Sequence, residues 1–150
     1  MFFKKKGKKD KQQEQQYPIL DISIEQMRQA VQNSAANLPM DISLRTLVNS
    51  DHSIDTNMVK SFLNGIPKQT FYMSKETFEI YEDQATAIAV DDVQRATDQY
   101  YQETGDYPVI PGTTKVSYFL IKNYLKQEPT MELFLDPKDH MVTHRRPHSK

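Results

Sequence analysis

Two stretches of the chain carry one pattern 66 residues apart: ISIEQMRQA from Ile22 to Ala30, and IAVDDVQRA from Ile88 to Ala96. In both, apolar residues recur at the spacing of a single helix face, which predicts an amphipathic helix in each stretch. Ser23 followed three residues later by Gln26 is typical of a capping box, so the first helix is expected to begin there.

The second stretch is expected to begin and end by similar rules. Asp91 and Gln94 have the spacing of a helix start, so we place the first turn of that helix at Asp91. Residues 85–90 are then either a short strand or the segment that leads into this helix. Gly105 and Pro108 stand where a left-handed C-terminal residue and a helix-stopping residue are expected.

The match continues into a second helix and a hairpin in each copy. The segments MVKSFL (58–63) and LIKNYL (120–125) align, and a proline follows each at the same distance. Short apolar runs that flank a polar turn then predict a hairpin. In the first copy the second helix is predicted at 55–64 and the two strands of the hairpin at 69–73 and 78–81. In the second copy the helix is predicted at 115–127 and the strands at 131–135 and 140–145.

We therefore predict an α+β fold of two tandem ααββ repeats related by a pseudo-twofold axis. Its four strands would form one four-stranded antiparallel sheet packed against the helices. Repeat one covers 20–83 and repeat two covers 86–147, in a single duplicated domain over 18–147. Residues 1–17 are predicted to be a disordered basic tail and residues 148–150 a further tail.

The charge of the chain is concentrated at its two ends. The formal net charge is −1, but residues 1–11 carry +5 and residues 142–150 carry +3, which leaves −9 between them. An acidic body disfavours general binding to nucleic acid, whose affinity comes mainly from phosphate contacts. The basic N-terminal arm is either a solubilising leader or a contact for anionic membrane or RNA. Its lysines are Lys4, Lys5, Lys6, Lys8, Lys9 and Lys11.

The composition excludes several classes of chemistry and location. The 150 residues include no Cys, which excludes disulfides, thiolate metal sites and a cysteine nucleophile. No apolar run approaches the length of a secretory core or a membrane span, so the expected location is cytoplasmic.

Tyrosines cluster in the second copy and make it the better candidate for a partner surface. Tyr100, Tyr101, Tyr107 and Tyr118 lie there, whereas the first copy has Ser and Ala opposite the first two. Aromatic residues are enriched at recognition surfaces, and the alternative is that these rings fill the core with their hydroxyls at its edge.

Three polar groupings are weaker candidates for chemistry. The first is a set of three histidines at every fourth position, His140, His144 and His148, which would converge on a metal ion only if the segment were helical. The Pro at 147 and the β-branched run at 142–143 disfavour a helix, so a solvated basic tail is the expected structure. Asp51-His52-Ser53 holds three catalytic residue types in a row, but members of a triad converge from separate elements. The acid pairs at 82–83 and 91–92 are assigned a structural rather than a catalytic role, because general acid–base catalysis needs carboxylates in contrasting environments. The pair at 91–92 is expected to open a helix, where the dipole favours negative charge.

Two resemblances arise. The segment from Tyr100 to Pro108 looks like the end of the long helix in type II secretion pseudopilins, which begin with an apolar membrane helix that this chain lacks. The whole chain resembles small proteins of unknown function from spore-forming low-GC Gram-positive bacteria. The resemblance rests on the Lys-rich start, the segment with Ala96, Tyr101, Gly105 and Pro108, and the ending with Leu135-Asp136-Pro137 and Thr143-His144-Arg145. The second resemblance implies a bacterial cytoplasmic origin and transfers no activity, catalytic residue or cofactor.

Three functions follow from these features. The first is a non-enzymatic protein-interaction module that binds another protein, or itself, through the tyrosines of the second copy. The second is a peripheral binder of anionic membrane or RNA through the N-terminal arm. The third is a small metal-dependent enzyme built on Asp, Glu and His. No cofactor and no specific small molecule is predicted.

Overall fold

The computed structural model describes residues 17–147, so the N-terminal arm and the end of the C-terminal tail lie outside it. Within that range short strands alternate with helices in an α+β fold. The elements in chain order are β1 (Ile19–Leu20), α1 (Ile24–Ala36), a 3-10 helix (Leu44–Leu47), α2 (Thr56–Leu63), β2 (Ile66–Pro67), β3 (Tyr72–Met73), β4 (Ile80–Tyr81), α3 (Gln84–Thr104), α4 (Tyr118–Ile121), β5 (Phe134–Leu135) and β6 (Val142–Thr143).

The first helix of each half begins with a side-chain cap, but only one of the two predicted starts is right. The Ser23 hydroxyl accepts the Gln26 backbone N–H and the Gln26 side chain accepts the Ser23 N–H, which confirms the capping box of α1. Helix α3 starts at Gln84 after an Asp83 cap, so the predicted start at Asp91 is wrong. The Asp83 carboxylate captures the early N–H of Thr86 and extends the helix by two turns.

The C-terminal end of α3 is where it was expected, whereas the bounds of α2 and α4 differ from the predicted ones. Helix α3 ends at Gly105, whose φ of 80° gives the expected left-handed cap. Helix α2 ends at Leu63, one residue before the predicted end at 64, and Asn64 is its left-handed cap with φ 57°. Helix α4 is one short turn capped by Ser117, because the residues just before it are held extended in bridges from Lys115 to Phe134 and from Val116 to Val109.

The predicted four-stranded antiparallel sheet is wrong, since the strands of residues 17–147 form three separate two-stranded sheets. β1 pairs with β2 in parallel, which the sequence analysis did not expect, and β3–β4 and β5–β6 are antiparallel hairpins at the predicted places. The hairpins do not merge because the preceding loop pairs with the first strand of each: Ser53 bridges Tyr72 and Lys115 bridges Phe134.

Two apolar clusters form the core, and the first hairpin lies between them. Met73 and Ile80 belong to the cluster made with α1 and α2, whereas Tyr81 belongs to the cluster made with α3 and the second hairpin, and Tyr72 packs against it. Successive residues of a strand point to opposite faces, so one short hairpin serves both clusters. This double use joins the two halves through apolar contact.

The backbone hydrogen bonds of the two hairpins recur at an offset of 62 residues. Ile54 N donates to Phe71 O, and Val116 N donates to Leu133 O. A residue with positive φ also recurs at this offset. It is Phe78, at 63°, in the turn that begins at Ser74, and His140, at 60°, in the turn that begins at Asp136.

Candidate functional site: an aromatic cleft at the end of α3

Three rings are stacked where α3 meets the second hairpin. Tyr101 and Tyr107 are stacked with ring centroids 4.5 Å apart and an interplanar angle of 18°. Tyr107 and His140 are stacked at 4.1 Å and 5°. Tyr101 comes from the last turns of α3, Tyr107 from the loop beyond Gly105, and His140 from the turn before β6. Tyr101 is 42% exposed and His140 is also exposed, so the stack is open to solvent at both ends.

The stack borders a cleft of about 320 Å³ that also holds two carboxylates, those of Asp98 and Asp139. Its lining residues are Gln94, Asp98, Tyr101, Gln102, Tyr107, Asp139, His140 and Met141. Among the lining side chains only the two carboxylates carry a full charge at neutral pH, with histidine counted as neutral. The cleft therefore combines aromatic faces with negative charge.

A buried glutamine fixes one of these carboxylates. Gln94 is almost fully buried, and its Oε1 accepts the Val142 N–H at 2.7 Å. Its Nε2 donates to Asp98 Oδ1 at 3.0 Å. The β6 backbone thus orients Gln94, and Gln94 orients Asp98 toward the cleft. A side chain held by a second layer of hydrogen bonds loses less conformational freedom when it binds a ligand.

The local charges also affect Tyr107. Partial desolvation, followed by the adjoining Tyr101 and the carboxylate of Asp98, raises the pKa of the Tyr107 hydroxyl above its ordinary value. The hydroxyl therefore stays protonated at neutral pH. It remains available as a hydrogen-bond donor.

The other two predicted surface tyrosines lie against the second core cluster. Tyr100 is half-buried there. Tyr118 is also half-buried, its hydroxyl donates to the Met131 carbonyl at 2.8 Å, and burial raises its pKa to about 12. The structure thus brings Tyr101 and Tyr107 together and places Tyr100 and Tyr118 apart from their stack. The six lysines of the N-terminal arm lie outside the described residues.

The histidines of the C-terminal segment face different neighbours. His140 stacks on Tyr107, whereas the ring of His144 meets Tyr81 edge-on with centroids 4.7 Å apart. Residues 17–147 contain no group of three or more His, Asp or Glu side chains arranged to hold a metal ion. His148 lies beyond the described range.

A polar cluster that the sequence analysis missed surrounds Asp91. This residue is 1% exposed and lies inside α3 rather than at its start. Its carboxylate accepts the Ser74 hydroxyl, the Lys75 N–H at 3.0 Å and His52 Nε2 at 2.7 Å. Ser, His and Asp meet here, but Asp lies between the other two, whereas catalysis by a triad requires His between Ser and Asp. The cluster instead fastens the first hairpin turn to α3.

A second polar cluster joins the two hairpins at Glu79. Its carboxylate accepts the hydroxyls of Thr143 at 2.7 Å and Tyr81 at 2.8 Å, and His144 Nδ1 lies 3.3 Å away. Burial acts to raise the pKa of Glu79, but His144 and the two hydroxyls outweigh it and lower that pKa to about 2. Glu79 is therefore ionised throughout the physiological range.

Helix periodicity would have located much of the cleft. Gln94, Asp98 and Tyr101 are spaced by four and three residues, which places them on one face of the predicted helix as well as of α3. The contribution of Asp139 and His140 depends on the tertiary contact between the second hairpin and α3. No local pattern in the sequence predicts that contact.

The fold and the cleft define a small α+β protein with an open aromatic and acidic surface. The chain belongs to the family described as "Protein of unknown function (DUF3939)", whose model matches residues 17–144. The predicted resemblance to an uncharacterised domain family is confirmed. No curated protein and no solved structure matches the chain. Between residues 17 and 147, no helix has both the length and the apolar character needed to cross a membrane.

Proposed function

We propose that this protein is a non-enzymatic interaction module of the bacterial cytoplasm that binds a basic segment of a partner protein in the aromatic cleft. The observation that carries the proposal is the stack of Tyr101, Tyr107 and His140 beside the oriented carboxylate of Asp98. A guanidinium group stacks on aromatic faces and pairs with carboxylates in a bidentate manner. An arginine side chain therefore fits both components of the cleft.

The charge of the body favours the same class of partner. Residues 17–147 hold 18 acidic and 12 basic side chains, a net charge of −6. A net negative surface speeds encounter with basic segments and repels acidic ones. The N-terminal arm of a second copy is one such segment, so binding to a partner protein has to be distinguished from self-association.

The two halves of the chain differ in the residues that form this cleft. We also propose that they descend from one duplicated unit, an idea supported by the hydrogen bonds that recur 62 residues apart. At the hairpin offset of 62, Phe78 stands for His140, Arg45 for Tyr107 and Thr77 for Asp139. At the helix offset of 66, Ala35 stands for Tyr101 and Gln32 for Asp98. The first half thus lacks both the stack and the carboxylates. Divergence of this kind supports a specific role for the second half.

Duplication can be tested on related sequences. In relatives of this chain, each half should match the other at the same offset, with the hairpin turns and their positive-φ residues aligned. Relatives in which the hairpin spacing changes independently in one half would argue against a common unit.

The binding proposal is tested by calorimetric titration of the full chain with a short peptide of alternating Arg and Gly. The same peptide with Gln in place of Arg is the matched ligand control, and both are titrated at low and high salt. The Arg peptide should bind and the Gln peptide should not. Higher salt should weaken binding, because exposed charge pairs are screened.

Two cleft variants and two surface controls locate the binding. Tyr101→Ala should weaken the Arg peptide roughly 2- to 5-fold, the worth of one cation–π contact at an exposed site. Asp98→Asn should weaken it further and flatten its salt dependence. The controls are Phe119→Ala, an exposed aromatic outside the cleft, and Glu25→Gln, an exposed acid on α1.

The expected pattern is loss in both cleft variants and none in the controls. Equal losses in all four variants, or equal binding of the two peptides, would overturn the proposal. Sedimentation of the wild type and of Tyr101→Ala distinguishes self-association, since a dimer that Tyr101→Ala disperses means that the partner segment comes from a second copy.

A further inference from the structure

A second concave surface lies on another face of α3, about two turns from the aromatic cleft. It is a groove of about 410 Å³ between α3 and the segment 126–131. Its lining residues are Ala85, Ile88, Ala89, Asp92, Arg95, Lys126, Gln127, Pro129, Thr130 and Met131. Most of this lining is apolar, and the volume lies within the range of small-molecule sites.

The groove exposes an isoleucine that the first half buries. Ile88 is 47% exposed, whereas Ile22, its counterpart in the matching stretch, is 4% exposed within the first core cluster. Nothing among residues 17–147 covers Ile88 in the way that the first cluster covers Ile22. An exposed aliphatic side chain inside a concave wall is favourable for the protein when an apolar ligand removes it from water.

The segment 126–131, which forms one wall of the groove against α3, is held at both ends by hydrogen bonds. The Lys126 N–H donates to Asp92 Oδ2 at 3.2 Å, which ties the segment to α3 at one end. Tyr118 donates to the Met131 carbonyl at 2.8 Å, which ties it to α4 at the other. The groove is therefore formed before any ligand arrives.

Charged groups at the groove set the polarity of the ligand. Arg95 and Lys126 are cationic and Asp92 is anionic, so the lining has a net charge of +1. Within the described residues, no carboxylate lies within 4.0 Å of Lys126 Nζ, and Arg95 makes only a 3.5 Å contact with Glu76. This charge favours an anionic head group over a cationic one, and the acidic remainder of the body makes the site a local exception.

We propose that this groove binds an aliphatic monocarboxylate, with the alkyl chain along Ile88, Ala89 and Met131 and the carboxylate between Arg95 and Lys126. The site is separate from the aromatic cleft, so either proposal can fail without the other. The acidic body, with a net charge of −6 over residues 17–147, repels a monocarboxylate less than a phosphate monoester, which carries up to two negative charges.

The test is titration of the full chain with sodium decanoate, kept below its micelle-forming concentration, followed by calorimetry or by NMR shifts. Hexanoate tests the dependence on chain length, and decyltrimethylammonium is the matched ligand of opposite charge. Decanoate should bind saturably with one site per chain. Affinity should rise roughly tenfold for every two added methylenes until the groove is filled. The cationic amphiphile should bind at least tenfold more weakly.

The variants separate the apolar wall from the charges. Ile88→Asn should weaken decanoate about tenfold or more, and the double variant Arg95→Gln with Lys126→Gln should weaken it similarly while improving binding of decyltrimethylammonium. All three side chains are exposed, so the variants are expected to fold, which circular dichroism checks. Met40→Asn and Lys68→Gln change an exposed methionine and an exposed lysine outside the groove and should have no effect.

Several results would overturn the inference. They are no saturable binding of decanoate, equal binding of the anionic and cationic amphiphiles, or equal losses in the control variants. A concentration-dependent dimer that Ile88→Asn disperses would show instead that a second copy covers the groove. If Ile88→Asn does not fold, the double charge variant decides the question alone.

Discussion

Replacing Asp91 by alanine should be among the most destabilising single changes in this chain. The substitution removes a carboxylate that accepts four hydrogen bonds, from the Ser74 hydroxyl, the N–H groups of Lys75 and Glu76, and the His52 ring. Ser74 is fully buried beside it. A buried donor left without an acceptor costs about 1–3 kcal/mol, and removing one partner of a buried charged cluster costs about 3–5 kcal/mol.

Because water can reach the more open Lys75 and Glu76, the losses are not additive. We expect the free energy of unfolding to fall by about 3–5 kcal/mol. Urea unfolding followed by circular dichroism measures this directly. The midpoint should fall while the slope stays constant, since the buried surface is otherwise unchanged.

Asp92→Ala is the matched control. It removes the neighbouring carboxylate, which is half-buried and, among residues 17–147, accepts only the Lys126 N–H at 3.2 Å, so about 1 kcal/mol is expected. If Asp91→Ala leaves too little folded protein to measure, Asp91→Asn retains the shape of the side chain and should cost about 2 kcal/mol. A loss for Asp91 no larger than that for Asp92 would refute the view that this carboxylate fastens the hairpin turn to α3.

Three further predictions follow. Glu79 has a folded-state pKa of about 2 against an ordinary value of 4.5, so its ionised form stabilises the fold by about 3 kcal/mol above pH 4.5, and this stabilisation is lost as the pH falls toward 2. Glu79→Gln should therefore lower the free energy of urea unfolding at neutral pH, and the difference in that free energy between variant and wild type should narrow below pH 4.5. A difference that stays constant with pH would contradict the assignment. Gly65→Ala places a Cβ against the Leu20 side chain, 2.8 Å from Cγ, and 3.0 Å from the Pro18 carbonyl oxygen, so it should lower the melting temperature through a loss of about 1–3 kcal/mol. Asn64→Gly next to it, at φ 57°, should change the melting temperature little, and equal shifts would mean that the close approach to β1 carries no strain. Deleting residues 1–16 should abolish any salt-sensitive binding to anionic vesicles or polynucleotide, and binding that survives the deletion would exclude the N-terminal arm.

Local patterns predicted the helices best where capping and periodicity agreed. The capping box of α1 and the glycine cap of α3 depend on residues within one turn of the helix end, and both are confirmed. The start of α3 was wrong because Asp83 and Asp91 are both acids that favour a helix start. Only the tertiary contact with the turn at Ser74 shows that Asp91 is needed inside the helix.

Sheet topology could not be read from the same patterns. The hairpins were located correctly because each combines apolar runs with a polar turn. Their assembly into one sheet was wrong because the bridging residues Ser53 and Lys115 sit in loops with no strand pattern of their own. The parallel pairing of β1 with β2 involves two residues in each strand, too few to produce a periodicity.

The first hairpin explains how two small clusters can make one stable body. A lone two-stranded hairpin is marginal in water, and neither cluster is large. Here β3 and β4 present Met73 and Ile80 to one cluster and Tyr72 and Tyr81 to the other, so neither face of the hairpin is left to solvent.

The polar contacts strengthen the same junction. Asp91 fixes the turn of this hairpin to α3, and Glu79 fixes its second strand to β6. The halves are therefore expected to unfold together rather than in sequence. Because the aromatic cleft and the apolar groove are both built on α3, the junction that stabilises the fold also holds both proposed binding surfaces in place.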